Sequence, residues 1–135
     1  MHRIHQTLVI FALAILSTSA TAEIPSDKQR VQYQKEHDEI VTMFRTETGY
    51  EEIDRGDVLQ FFDQKHSRAF LVTKLGHPAH PAVVTRQVIE QGGHLFQKIN
   101  GIGRGDQKAL KIWIDYLDSE GKKAVDRKRQ ETPKQ

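Results

Sequence analysis

Two histidines three residues apart, each followed by proline, form the most chemically suggestive run of the sequence: Gly76-His77-Pro78-Ala79-His80-Pro81. Neutral imidazole is the commonest protein ligand for zinc or copper, so His77 and His80 are candidate ligands for either ion. A following proline pushes each histidine toward extended backbone, which argues against presentation on a helix. In a polyproline-type run three residues make one turn, so both rings can share a side with Cα atoms roughly 9 Å apart. That is near the outer limit for one ion, and a third ligand is needed. His37, His66 and His94 qualify by residue type alone. The same stiffness supports another use, because a loop held by two prolines loses little entropy when it binds a partner. His77, Pro78, His80 and Pro81 are therefore read first as a binding surface and second as a metal pair. The plain reading beside both is a rigid crossover between strands.

Three alternate glycines precede a helical pattern in Asn100-Gly101-Ile102-Gly103-Arg104-Gly105-Asp106. Backbone N–H groups at such a helix start can hold an anion, which makes Gly103, Arg104 and Gly105 a weak anion site. The run has neither the Gly-Lys-Ser/Thr of a phosphate loop nor the spacing of a dinucleotide fingerprint, and reads first as a turn. Arg-Gly-Asp occurs at 55–57 and 104–106, in both cases where Gly and Asp suit turns and caps. Glu51, Glu52, Asp54 and Asp57 cluster after the first helix, without the Asp-x-Asp-x-Asp-Gly pattern of a calcium loop. They read as a solvated turn, with a small hydrolase using Asp54 or Asp57 as a distant alternative. Ser26, Ser67 and Ser119 are the only serines after the leader, none in Gly-x-Ser-x-Gly, and His66-Ser67 adjacency does not make a catalytic pair. An enzyme is the less favoured class.

The elements that must position these residues follow from periodicity. Ser26 and Gln29 have capping-box spacing behind Pro25, predicting a helix from Asp27 to about Thr48 that Gly49 ends and Tyr50 closes over. Its apolar stripe is expected to use Val31, Tyr33, Ile40, Val41 and Phe44. Val58–Asp63 and Ala69–Lys74 read as one hairpin. Ala82–Glu90 and Leu95–Ile99 read as a second, turned at Gly92-Gly93, with Ile89 opposite Phe96 and Gln87 opposite Lys98. Leu110, Trp113, Ile114 and Leu117 fall at i, i+3, i+4 and i+7 of a last helix, capped by Asp106 and expected to stop at Gly121. The expectation is an α+β domain over 23–121: an N-terminal helix, a four-stranded antiparallel sheet and a C-terminal helix, with both helices on one face. This order resembles cystatin-like folds and small envelope inhibitor or assembly modules, a likeness of architecture that names no function.

Both ends are polar in character except the first residues. Arg3, the unbroken apolar run Leu8–Leu16 and the Ala20-Thr21-Ala22 motif have the order of a secretory signal peptide over 1–22. Nine apolar residues fall short of the roughly 20 that span a membrane. Cleavage near Ala22 takes 22 of the 135 residues and leaves 113, a single-domain length. Arg3 is the only Lys, Arg, Asp or Glu lost, so 20 basic against 18 acidic residues becomes 19 against 18. A balance that close to neutral carries no general attraction for nucleic acid. The chain has no cysteine, which removes disulfides and thiolate chemistry. The C-terminal stretch 122–135, with Lys122, Lys123, Arg127, Lys128 and Arg129, is expected to be a flexible basic tail. Together these features predict a protein exported to the periplasm or beyond. Its expected role is a non-enzymatic binding or accessory module that meets an envelope protein or a cell-wall polymer.

Overall fold

Ser26 starts the first helix as its spacing requires. In the computed structural model, which describes residues 24–131, its Oγ accepts from the Gln29 N–H at 3.2 Å while Gln29 Oε1 accepts from the Ser26 N–H at 2.9 Å. The expected signal peptide and the last four residues lie outside the described part. Helix α1 runs Asp27–Thr46. Gly49 takes φ +100°, and the Tyr50 ring stands edge-on to Phe44 at 5.1 Å. The buried side of α1 carries Tyr33, His37, Ile40, Val41 and Phe44, at helical spacing. Val31, expected in this stripe, is 71% exposed, and buried His37 belongs to it instead.

Among the described residues five strands follow rather than four: β1 (Glu51–Asp54), β2 (Val58–Asp63), β3 (Arg68–Thr73), β4 (Ala82–Gln91) and β5 (His94–Gly103), in sheet order β1-β2-β3-β4-β5. Every neighbour pair is antiparallel. The added strand is the acidic run read as a turn. With only Ile53 half-buried, β1 lacks an apolar alternation, and its charges suit an outer edge that should not pair further. The second hairpin has the expected register, Ile89 opposite Phe96 and Gln87 opposite Lys98, about a turn with φ +60° at Gly92 and +77° at Gly93. Positive φ at both turn positions matches the twist of the flanking strands. Strand β5 continues through Asn100–Gly103, so most of the glycine run is sheet and not turn.

The helices occupy opposite faces of the sheet, not one. Successive strand residues point to opposite faces. Leu71, Ala82 and Val84 pack with Leu110 and Leu117, whereas their neighbours Val72 and Val83 pack with Phe44 and Phe61. Each face is half-covered by apolar strand residues, so each requires its own helix. On the face with Leu110 and Leu117, Gly101 leaves no space for a side chain: a Cβ there would lie 2.5 Å from Ile114 Cδ1. Helix α2 runs Gln107–Glu131, with Asp106 Oδ1 accepting from the Lys108 N–H at 2.9 Å and the Ala109 N–H at 3.1 Å. It does not stop at Gly121. That residue is buried inside the helix against the Gln97 side chain, where a methyl would collide. Good helix formers and the Lys122–Asp118 pair at 3.3 Å carry α2 onward to Glu131, so the expected tail is helical over most of its length.

Candidate functional site

The His-Pro segment crosses from β3 to β4 at one end of the sheet, between the two helical layers. Its path is a pair of turns: the His77 N–H donates to the Lys74 carbonyl at 3.1 Å and the His80 N–H to the His77 carbonyl at 3.0 Å. Gly76, at φ +96°, permits the first, and the His80–Pro81 bond is cis. Two consecutive turns set the histidine rings on different neighbours. The His77 ring lies against Trp113 of α2 with centroids 4.4 Å apart, and its Nδ1 accepts from the Ala79 N–H at 3.0 Å. The His80 ring faces α1, with Nε2 2.7 Å from Gln34 Oε1 and Nδ1 2.8 Å from Thr73 Oγ1. His37 joins the group from α1: its Nε2 donates to the Thr73 carbonyl at 2.6 Å, and its ring stands edge-on to His80 at 4.7 Å. The segment thus ties α1 to α2 across the end of the sheet.

Proton positions follow from the partners. Gln34 Oε1 accepts, so His80 carries its hydrogen on Nε2, and Nδ1 accepts from the Thr73 hydroxyl. That hydroxyl in turn accepts from the Ala82 N–H at 2.9 Å, with the Ala82 carbonyl 3.1 Å away. Burial holds the pKa of His80 below the usual imidazole value, and neighbouring His37 adds to this; Thr73 and Asp38 oppose it without prevailing. Burial likewise lowers His77, against the attraction of Asp57 at 3.9 Å. Both rings are neutral near pH 7.

What the segment shows to solvent is different. Leu75 is 78% exposed and Pro78 is exposed, while Pro81 is half-buried. Beside Leu75 a groove of about 360 Å³ runs between the segment and α1, bordered by Gln34, Asp38, Arg45, Lys74 and His80. Its walls carry both charge signs around a small apolar floor from Val41 and Leu59. Such a surface suits a partner's polar side chains around one apolar contact.

Of the other sequence candidates, Gly103, Arg104, Gly105, Asp54 and Asp57 adjoin this segment, and His66 and His94 do not. Gly103 is the end of β5 and Gly105 packs on the carbonyls of Ala79 and His80, where a Cβ would clash. Arg104 lies over the Tyr33 ring at 5.0 Å and reaches Glu36 at 4.0 Å. Asp106 itself takes the first free amides of α2, the place an anion would use. Asp54 accepts from the Gly56 N–H at 2.9 Å and pairs with Lys74 at 3.1 Å, and these bonds lower its pKa. Asp57 is 63% exposed at its side chain. His66 and His94 lie at the other end of the strands, in the β2–β3 turn and the β4–β5 hairpin tip.

Sequence reasoning missed two groupings. His37 sits in the α1 stripe at i+4 from Tyr33 and i−7 from Phe44, and that periodicity is the signal that could have placed it inside. The second is Asp63, 7% exposed, whose Oδ2 accepts from His66 Nδ1 at 2.6 Å and from Arg68 at 3.2 Å. Burial would raise the Asp63 pKa, but the bonds from His66 and Arg68 outweigh it and hold the carboxylate below its usual range. Adjacent Ser67 takes φ +48° in the left-handed region. The trio clamps the tight β2–β3 turn, with the Arg68 guanidinium also over Phe70 at 4.9 Å.

Among the described residues no group of three or more His, Cys, Asp or Glu is arranged to hold a metal ion, and both nitrogens of His80 already have partners. No helix among them is long and apolar enough to cross a membrane. Comparison with protein-family models, with curated proteins and with solved structures finds no match.

Proposed function

We propose that this chain is a non-enzymatic binding or accessory module of the bacterial cell envelope, exported by its N-terminal leader, and that it recognises an envelope protein or cell-wall polymer at the His-Pro segment. The observation that carries this reading is a division of labour within the segment. His77 and His80 turn inward and lock it between Trp113 and Gln34, while Leu75 is left 78% exposed at the mouth of the groove along α1. An apolar side chain on a pinned loop costs little entropy to present, and such sites recognise partners well for their size. The histidines in this reading are positioning residues, and contact falls to Leu75, Pro78, Lys74, Arg45 and Asp38.

The test is affinity capture from envelope extract with residues 23–135, which hold every described element of the fold, beside two altered baits. Leu75→Asp should abolish capture. Ile112→Asp, a change at an exposed α2 position (61%) far from the groove, should leave it intact. Equal capture by all three baits would remove the segment from the interface.

A further inference from the structure

Strand β5 is the outer edge of the sheet opposite β1, and it is built differently. It runs ten residues, His94–Gly103, without proline, and Lys98 is its one Lys, Arg, Asp or Glu. Long uncharged edges invite another strand. Which of its backbone groups are free follows from the ladder. The Val88 N–H donates to the Ser67 carbonyl on the β3 side, so even-numbered β4 residues bond toward β3 and odd-numbered ones toward β5. Through the pairs Gln91–His94 and Ile89–Phe96, the even-numbered residues of β5 bond back to β4. Leu95, Gln97, Ile99 and Gly101 therefore turn N–H and C=O outward. Among the described residues no other strand meets them. A row of alternating donors and acceptors at this spacing is complementary to an extended chain and to little else.

We propose that the occupant is β5 of a second copy, paired antiparallel about a two-fold axis at Ile99, so that two sheets become one. Of the two-fold registers that overlap nearly the whole strand, the one centred on Lys98 sets Lys98 against itself, and the one at Ile99 is free of that clash. Phe96 falls opposite Ile102 of the other copy, and Lys98 opposite its Asn100, each pair occurring twice and with no like charges facing. Phe96 is 50% exposed and Ile102 76% exposed, both on the face that α1 leaves open at this side. Each already has an apolar neighbour within the sheet, Ile89 beside Phe96 and Val83 beside Ile102. Pairing joins these into two rows, Ile89–Phe96–Ile102–Val83, each running across both copies. Phe96 and Ile102 would meet at non-hydrogen-bonded positions, where side chains of an antiparallel pair approach most closely. On the other face each α2 lies along its own β5, with Gly121 against Gln97 and Ile114 against Gly101. The flank of α2 above the edge carries Asp118 and Lys122, already paired at 3.3 Å, so the two helices would meet through charges of both signs. The groove beside Leu75 takes no part, and the dimer and the binding role stand or fall separately.

Sedimentation of residues 23–135 as a concentration series tests the pairing, with Phe96→Glu and Ile102→Glu beside the wild type. The wild type should dimerise, and either glutamate should weaken dimerisation at least tenfold, about 1.4 kcal/mol. Both sites are exposed, and unchanged circular dichroism should confirm folding. Hydrogen exchange of the Leu95, Gln97 and Ile99 amides should slow as wild-type concentration rises. A wild type that stays monomeric overturns the proposal, as does a dimer in which those three amides exchange as fast as in the dilute protein. A monomer whose β5 amides slow only when another protein is added would also overturn it and assign the edge to a foreign strand.

Discussion

Replacing Thr73 by valine probes the lock on the His-Pro segment with almost no change of shape. Thr73 is 2% exposed, and its hydroxyl has three polar neighbours: it accepts from the Ala82 N–H at 2.9 Å, and its one hydrogen lies between His80 Nδ1 at 2.8 Å and the Ala82 carbonyl at 3.1 Å. Valine fills the same space and satisfies none of them. A buried polar group left unpaired costs about 1–3 kcal/mol. Ala82 is 2% exposed and bears the full penalty, whereas half-buried His80 recovers part of its own from water. The expected loss is about 2–4 kcal/mol, a large share of the roughly 5–15 kcal/mol that holds a domain together. It should lower Tm by roughly 10–30 °C. Urea denaturation followed by circular dichroism measures it directly. Thr73→Ser keeps the hydroxyl and removes one methyl, so it should cost about 1 kcal/mol or less. The reasoning fails if valine costs under 1 kcal/mol, or if serine costs as much as valine, since either result would place the stabilisation in packing rather than in the hydroxyl.

Acid should weaken the same lock. His77 and His80 have pKa values lowered by burial, so the unfolded chain binds their protons more readily than the folded one. Stability from these groups is fully present above the ordinary imidazole pKa near 6.5 and is lost as pH falls below it; urea midpoints from pH 8 to pH 5 should decline, and His80→Gln should flatten the slope. Asp54 and Asp63, whose pKa values are lowered by their hydrogen bonds, should add a second decline only below the ordinary carboxylate range, near pH 4. Gly105→Ala should destabilise by about 1–3 kcal/mol, because its Cβ meets the backbone carbonyls of Ala79 and His80, which have no rotamer to change; an unaltered thermal midpoint would show that α2 can move away from the segment.

Features governed by neighbours along the chain were legible from residue types. The capping box at Ser26 and Gln29, the Asp106 cap, the Gly92-Gly93 turn and the register of the second hairpin each depend on a few residues close in sequence, and each is found. Long-range packing decided what was not legible. Strand β1 lacks apolar alternation because it pairs with β2 on one side only and its charged side chains meet solvent or the surface cations Arg45 and Lys74. The two helices divide between the faces because Leu71 and Val72, adjacent in sequence, lie in different cores, and no local pattern in α1 or α2 says which core each will fill. Gly121 looks like a helix stop until Gln97, 24 positions earlier, is found occupying the space its side chain would need. The candidate site shows the same boundary. His77 and His80 were conspicuous for their prolines, yet whether a ring faces water or Trp113 is set by turns that close only when the sheet and both helices are assembled. Residue types near in sequence therefore determined the elements and their ends, since caps and turns are short-range hydrogen bonds. The direction in which each element faces was decided by burial, which is a property of the assembled layers.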